Sequence, residues 1–181
     1  MRKFLFFKVL VVFLTLSGFS WNAFAQDDAF KKGDNVINVG VGLGTYFSDK
    51  GFSMSVPPIS GSFEYGVVDL FDGKGAIGVG GYLSYLLRKS NGDDSFNVGD
   101  FVIGPRGLFH YQFVDKLDTY AGLMLGYDVV SFNNKNASLS GSGFYSAFFI
   151  GGRYYFTNAI AVFGELGYGI SPLQLGISFK F

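Results

Sequence analysis

The sequence contains no cysteine in its 181 residues. This absence excludes disulfides, thiolate metal sites and cysteine-based catalysis, and it also excludes anchoring through a lipidated N-terminal cysteine. Charged residues are scarce, at 15% of the chain, and they balance to a formal net charge of zero. Composition therefore gives no reason to propose a nucleic-acid partner, and no cluster of residues in the sequence points to a cofactor.

The first 25 residues have the pattern of a secretory signal peptide. Arg2 and Lys3 form a basic start and an apolar stretch follows. Ala23 and Ala25 then match the small–x–small cleavage pattern, so Gln26 is predicted to begin the mature protein. The alternative is an uncleaved membrane anchor, which the shortness of the apolar stretch disfavours.

The remaining chain lacks any apolar run long enough for a membrane-spanning helix. It is rich instead in glycine, at 27 residues in the whole sequence, and in aromatic residues, at 19%. Many glycines and aromatics in apolar segments fit a small all-β barrel better than a helical domain. Residues 26–34 (QDDAFKKGD) are predicted to be a short flexible lead-in, and residues 35–181 a single barrel domain.

Apolar residues alternate with small or polar ones along most of this domain. A period of two is typical of strands with one apolar face, as in Ile37, Val39 and Val41 against Asn38 and Gly40. Eight such segments are predicted, at residues 36–46, 58–68, 76–88, 98–113, 118–130, 143–156, 159–170 and 173–181. The predicted fold is all-β, an eight-stranded antiparallel up-and-down transmembrane barrel.

The face that carries the large apolar residues is free of charge. A soluble barrel would show the reverse, with a polar exterior, whereas lipid excludes Arg or Lys from mid-membrane at a cost of roughly 2–4 kcal/mol. Outward aromatics gather at both strand ends, which predicts a girdle at each membrane interface. The two girdles contain Tyr111, Phe113, Tyr154, Phe156, Phe179 and Phe181 at one end and Tyr85, Phe101, Tyr127, Phe144 and Tyr168 at the other.

Pro105 does not fit this pattern. It cannot donate to a strand ladder, so a lost hydrogen bond or a bulge is expected there. The outward residues have the same parity before and after Pro105, so the strand is kept. In the seventh strand the predicted outward set runs to Ile170, just before the Ser171-Pro172 turn.

The last strand has a second signal. Its polar–x–Gly–x–x–aromatic–x–aromatic pattern, formed by Gln174, Gly176, Phe179 and Phe181, resembles the C-terminal insertion signal of bacterial outer-membrane barrels. We expect this strand to present the signal during assembly and then to close the sheet against the first strand.

The whole predicted domain resembles the small outer-membrane barrels of the OmpA/OmpX type. Gly151-Gly152-Arg153-Tyr154-Tyr155-Phe156 and Gly164-Glu165-Leu166-Gly167-Tyr168-Gly169 resemble segments of the barrel-domain proteins common in Bacteroidetes. The resemblance implies a place in the bacterial outer membrane, in contact with its lipids. It also implies periplasmic chaperones and the barrel-assembly machinery as partners during biogenesis.

The predicted lumen contains charges that need partners. The interior network is expected to comprise Glu64, Arg106, Asp128, Arg153, Glu165 and Lys180. Arg153 and Glu165 are the first predicted pair because they lie on neighbouring strands, with Lys180 adjacent. Eight-stranded barrels are usually filled by side chains, so a structural plug is favoured over a narrow gated channel.

Two further functions stay open. Long polar connections at residues 47–57, 89–97 and 131–142 should lie outside the cell and could recognise a surface or partner. A lipid- or peptide-modifying enzyme would need the only histidine, His110, which lacks a Ser or Asp at a recognisable catalytic spacing. The chain is therefore predicted to be a non-enzymatic outer-membrane barrel with a structural or surface-interaction role.

Overall fold

The computed structural model describes residues 29–47, 51–91, 96–132 and 142–181. Eight antiparallel strands pair in chain order and form a closed barrel. Their bounds are β1 Asn35–Leu43, β2 Phe52–Leu70, β3 Gly75–Ser90, β4 Asn97–Val114, β5 Leu117–Phe132, β6 Gly143–Tyr155, β7 Ile160–Tyr168 and β8 Leu173–Lys180. The predicted fold class is confirmed.

The barrel closes between its first and last strands. Ile37 lies opposite Phe179 in the β1–β8 ladder, and Asn35 and Phe181 exchange two backbone hydrogen bonds of 3.1 and 3.0 Å. No helix within the described ranges is both long and apolar enough to cross a membrane. The predicted signal peptide, with Ala23, Ala25 and Gln26, lies outside the described residues.

The alternation of faces along the strands agrees with the sequence pattern. Val39, Leu83 and Ile103 are about half exposed on the outward face, while Asn38, Ser84 and Val102 between such positions are buried. Because the inward positions are buried and the exposed outward positions are mostly large apolar residues, the barrel has the surface of a membrane protein. Ile170 is the exception. It is only 4% exposed and packs in the lumen, because β7 ends at Tyr168 and the following turn leads the chain inward.

The barrel wall is much taller on one side than on the other. Strands β2 to β6 contain 13 to 19 residues, whereas β1, β7 and β8 contain 8 or 9. The predicted loop at residues 47–57 was therefore too long, since β2 already begins at Phe52. Pro57 and Pro58 are accommodated there by register shifts between Val56 and Ile59. The predicted loop at 89–97 likewise loses both ends to β3 and β4, and the predicted loop at 131–142 loses its first two residues to β5.

Pro105 does not introduce a bulge. It lies opposite Gly81 in the β3–β4 ladder, and the register is unbroken on both sides of it. In the β4–β5 ladder the register is also the same at Ile103 and at Arg106. The outward-facing position of Pro105 within the strand is thus tolerated without any change of facing.

Candidate functional site in the barrel lumen

The half of the lumen near the chain termini and the short turns holds a buried charge cluster. We call it the periplasmic cluster, formed by Glu64, His110, Asp118 and Arg153. Arg153 donates to Glu64 and, over 3.0 Å, to Asp118. His110 bridges the same two carboxylates, with its Nδ1 2.8 Å from Asp118 and its Nε2 against Glu64. All four residues are at most 1% exposed.

The geometry of this cluster indicates how His110 is protonated and how the four charges balance. Both ring nitrogens of His110 face carboxylate oxygens, and ionised carboxylates only accept hydrogen bonds, so the arrangement matches a doubly protonated ring. Two cations then balance two anions, which is the condition under which buried charges are tolerated. With both nitrogens engaged, His110 has none left to activate a nucleophile. Arg153 and His110 therefore join β2, β4, β5 and β6 across the lumen.

A second ion pair lies farther into the lumen. Arg106 donates to Glu165 over 2.7 Å, and the Tyr120 hydroxyl donates to the same carboxylate oxygen over 3.0 Å. The Arg106 guanidinium lies 4.2 Å from the centroid of the Phe149 ring, within cation–π range. The pair therefore connects β4, β5 and β7 across the interior.

The predicted pair of Arg153 with Glu165 is wrong. In the β6–β7 ladder Glu165 lies opposite Gly151 and Arg153 lies opposite Phe163, which separates the two charges by two residues, roughly 6–7 Å along a strand. In addition, inward side chains of a narrow barrel reach strands on the far wall. Arg153 on β6 thus contacts Glu64 on β2, and Glu165 on β7 contacts Arg106 on β4.

Two other predicted members do not join this network. Lys180 lies at the periplasmic mouth, where its Nζ donates to the Ala29 carbonyl over 3.3 Å and approaches Asp34 at 3.6 Å. Asp128 lies near the opposite end of β5, half buried, and has no salt bridge to any described residue. The predicted network therefore keeps four of its six residues, divided between two separate groups.

The lead-in at residues 29–34 is a packed element, which we call the periplasmic plug. Phe30 is 4% exposed and stacks on His110 with ring centroids 4.1 Å apart. The Ala29 amide donates to Gln112 over 2.9 Å, and Gly33 donates to the Gly66 carbonyl over 2.9 Å. A side chain at Gly66 would collide with the plug backbone. The prediction that this segment is flexible is thus wrong for its described part, because its one aromatic residue buries itself in the mouth.

The other half of the lumen is closed by apolar side chains. We call this group the outer cluster; its buried members are Tyr82, Leu86, Val102, Met124 and Ile170, with Phe47, Tyr145, Ala147 and Phe149 packed against them. Arg88 forms two hydrogen bonds with Asp100, of 2.7 and 2.6 Å, and donates to the Phe47 carbonyl. The chain that follows β1 is thereby fixed over the lumen.

The residues of the predicted insertion signal have clear places in the finished barrel. Gln174 is buried and donates to the Tyr82 hydroxyl. Gly176 fits because a Cβ there would lie 2.1 Å from the Val39 carbonyl. Phe179 and Phe181 are 43% and 69% exposed on the outward face. Their role during assembly stays a prediction.

Several interior residues were missed by sequence reasoning. Asp118 was assigned no role, although it lies directly opposite Arg153 in the β5–β6 ladder. The short turn between β4 and β5 gave one available signal, since it brings Asp118 and His110 to the same end of adjacent strands. The Arg88–Asp100 pair had a similar signal, since both residues alternate onto the inward face at the same end of adjacent strands. Phe30 had none, because it lies outside the alternating pattern.

Comparisons with known proteins agree on the fold. The outer-membrane protein OprG of Pseudomonas aeruginosa is 13% identical, with a TM-score of 0.57, and the match covers 86% of this chain and 99% of that one. Ail, the attachment invasion locus protein of Yersinia pestis, is 14% identical with a TM-score of 0.53, covering 83% and 99%. Ail in complex with the heparin analogue sucrose octasulfate is 11% identical with a TM-score of 0.50, covering 83% and 99%.

No family model and no curated protein matches the sequence. At such low identity the structural matches establish the fold alone, which is that of small bacterial outer-membrane barrels. They confirm the predicted fold of a small outer-membrane barrel, and this fold and the apolar exterior together support the predicted location in the bacterial outer membrane.

Proposed function

We propose that this protein is a closed, non-enzymatic scaffold at the bacterial surface. It presents a raised wall, formed by the ends of the long strands β2 to β6 opposite the short turns, and the loops that connect them. The observation that carries the proposal is the combination of a filled lumen with strands much taller than a membrane needs. A barrel strand crosses a bilayer in about 9–11 residues, whereas β2 has 19 and β4 has 18.

The extra length lies on the side opposite the short turns. The β3–β4 ladder extends to Lys89 opposite Asn97, and the β4–β5 ladder extends to Val98 opposite Phe132. Ladders that continue beyond the membrane hold their loops on a rigid support, which is how many binding loops are displayed. A surface-interaction role therefore uses the part of the molecule that membrane insertion alone does not require.

The filled lumen argues against the pore alternative. The periplasmic cluster, the Arg106–Glu165 pair and the outer cluster occupy successive levels of the interior, and the periplasmic plug covers the lower mouth. An enzymatic role is also disfavoured, since both nitrogens of His110 are engaged by carboxylates. One protein with this fold, Ail of Yersinia pestis, is named the attachment invasion locus protein.

The proposal is tested by removing one loop of the raised wall, together with the end of the β3–β4 ladder that supports it, without disturbing the barrel. Replacing residues 89–97 with Asn-Gly gives a type I′ hairpin that retains the Arg88–Asp100 pair. The matched control replaces Phe71–Lys74 at the short-turn end in the same way. Bacteria that display each form are compared for adherence to cultured cells and to heparin-coated surfaces, with heat-modifiable migration on gels as the folding check.

We expect bacteria with the form that lacks residues 89–97 to lose adherence. Bacteria with the control form should keep it, and both forms should be folded. Equal adherence of the two folded forms, or no adherence by the parent protein on any surface, would contradict the proposal.

A further inference from the structure

The short-turn end of the barrel contains three strained backbone positions. Within the described ranges, Phe71, Asp72 and Lys116 are the residues other than glycine with a positive φ, at 54°, 54° and 64°. A bulky residue such as Phe71 rarely adopts this conformation, and strain of this kind clusters at functional sites. The first two residues lie in the turn between β2 and β3, and Lys116 lies in the turn between β4 and β5. The strain is therefore confined to two neighbouring turns.

A surface cavity lies between these two turns. Its volume is about 190 Å³, and it is lined by Lys74 of the first turn, Asp115 of the second, and the end of β4 from Tyr111 to Val114. The Lys74 carbonyl accepts a hydrogen bond of 2.8 Å from the Gln112 amide, which holds the first turn against β4. One water needs roughly 10–15 Å³ of such space, so the cavity has room for a group of several heavy atoms.

The aromatic residues beside the cavity place it at a membrane interface. Phe71 and Phe113 are 63% and 73% exposed, and the Tyr111 ring contacts both, with centroid distances of 6.0 and 4.7 Å. Exposed aromatic rings at the ends of barrel strands lie at the level of the lipid headgroups. Because short turns face the periplasm in such barrels, the cavity lies at the headgroup level of the periplasmic leaflet.

The cavity contains one cation and one anion that do not pair with each other. Lys74 and Asp115 are both exposed, and neither side chain forms a salt bridge or hydrogen bond with any described residue. A lone anion here would be attracted by Lys74 and repelled by Asp115, whereas a zwitterion is attracted by both. Phosphate oxygens accept hydrogen bonds from the lysine ammonium, and a ligand ammonium donates to the carboxylate.

The anion also selects the kind of ammonium. A primary ammonium forms charge-assisted hydrogen bonds with a carboxylate such as Asp115. A quaternary ammonium has no N–H to donate and is recognised by aromatic cages instead. The rings of Tyr111 and Phe113 are in direct contact, with centroids 4.7 Å apart, and do not face each other across a gap. The site therefore favours a primary ammonium.

We propose that this cavity binds the headgroup of a phosphoethanolamine lipid in the periplasmic leaflet, with the phosphate at Lys74 and the ammonium at Asp115. The acyl chains of this lipid lie against the exposed rings of Phe71 and Phe113. The site is at the opposite end of the barrel from the raised wall. It therefore stands or falls separately from the proposed surface role.

The experiment uses the full mature barrel, labelled for amide NMR, in nanodiscs of phosphatidylcholine. In one series phosphatidylethanolamine replaces this lipid in steps, and in a parallel series phosphatidylglycerol with the same acyl chains does so. We expect phosphatidylethanolamine to produce saturable shifts confined to residues 73–75 and 111–116. Phosphatidylglycerol should bind at least about threefold more weakly, because its single negative charge is repelled by Asp115. Soluble glycerophosphoethanolamine at the same molar ratio should produce no saturable shift.

Three results would overturn the proposal. Shifts that are absent, or equally large at the outer strand ends, would show that the cavity does not prefer this headgroup to phosphatidylcholine. Equal or tighter binding of phosphatidylglycerol would show that Asp115 does not select the ligand. Saturable shifts with soluble glycerophosphoethanolamine would show that the ligand is not a membrane lipid.

Two variants and two matched controls locate the site. Lys74→Gln and Asp115→Asn each remove one charge from the cavity and should weaken phosphatidylethanolamine binding about twofold to fivefold, as is typical of exposed charge pairs. Lys116→Gln and Asp72→Asn remove the same charges from the same two turns, outside the cavity lining, and should leave binding unchanged. Heat-modifiable migration establishes that each variant is folded. Unchanged binding by folded Lys74→Gln and Asp115→Asn, or an equal loss in the controls, would contradict the proposal.

Discussion

The two halves of the lumen are filled by different chemistry. The periplasmic half contains four buried ionic groups whose charges cancel, together with a plug that stacks on one of them. The outer half is filled mainly by apolar side chains, with ionic groups only at its borders. Removing one member of a buried ionic cluster leaves an uncompensated charge, which is strongly destabilising. Truncating a buried apolar side chain lowers the stability in proportion to the volume that is removed. The two halves should therefore respond differently to single substitutions.

The largest effect is expected for Arg153→Met. This change leaves Glu64 and Asp118 buried with only His110 between them, and breaking a buried ionic group in this way costs about 3–5 kcal/mol. Urea unfolding of the detergent-folded barrel, followed by gel migration, measures the loss. A cost below about 1 kcal/mol would mean that the cluster is not the main support of this half.

The second effect concerns the periplasmic plug. Phe30→Ala should cost about 3 kcal/mol, at the lower end for buried aromatic residues, and Phe30→Leu should cost about 1 kcal/mol. Because the sequence has no native cysteine, Ala161→Cys gives a clean reporter beneath the plug, where Ala161 packs against Ala29. Maleimide should label this cysteine slowly in the parent and much faster with Phe30→Ala. Equal rates would show that the plug does not cover the mouth.

Met124→Ala tests the outer half. Met124 is buried among apolar neighbours, so its truncation should cost about 2–3 kcal/mol without affecting the labelling of Ala161→Cys at the opposite end. The same unfolding and labelling assays check this independence. A faster labelling rate would indicate that the two halves are mechanically coupled.

The smallest effect is expected for Lys180→Met. The Lys180–Asp34 pair is 3.6 Å long and both side chains keep partial contact with solvent, so its loss should cost less than about 1 kcal/mol. A cost close to that of Phe30→Ala would mean that Lys180, rather than the aromatic stack, fixes the plug.

The sequence predicted the features that depend on local pattern and missed those that depend on contacts across the barrel. Alternation along Ile37, Val39 and Val41 is a local property, and it was enough to set strand identity, facing and the uncharged exterior. It failed at Ile170, where a turn interrupts the strand before the apolar pattern ends. The part of β2 that precedes residue 58 was missed because Pro57 and Pro58 are typical of loops.

Partner choice inside the barrel could not be predicted in the same way. Whether Arg153 meets Glu64 or Glu165 depends on the register of several strands and on distances across the closed lumen. Neighbouring positions in the sequence give no information on contacts across that space. Phe30 shows the same limit, since a single aromatic in a polar segment has no periodicity to reveal its burial.

The central claim is that the lumen is closed from the periplasmic plug to the outer cluster. Single-channel recording in planar bilayers tests it most directly, comparing the parent protein with Glu165→Ala. We predict no discrete openings in the parent, and none in the variant either, because the periplasmic cluster and plug close the lumen without Glu165. Reproducible openings in the parent protein would contradict the account and restore the channel interpretation.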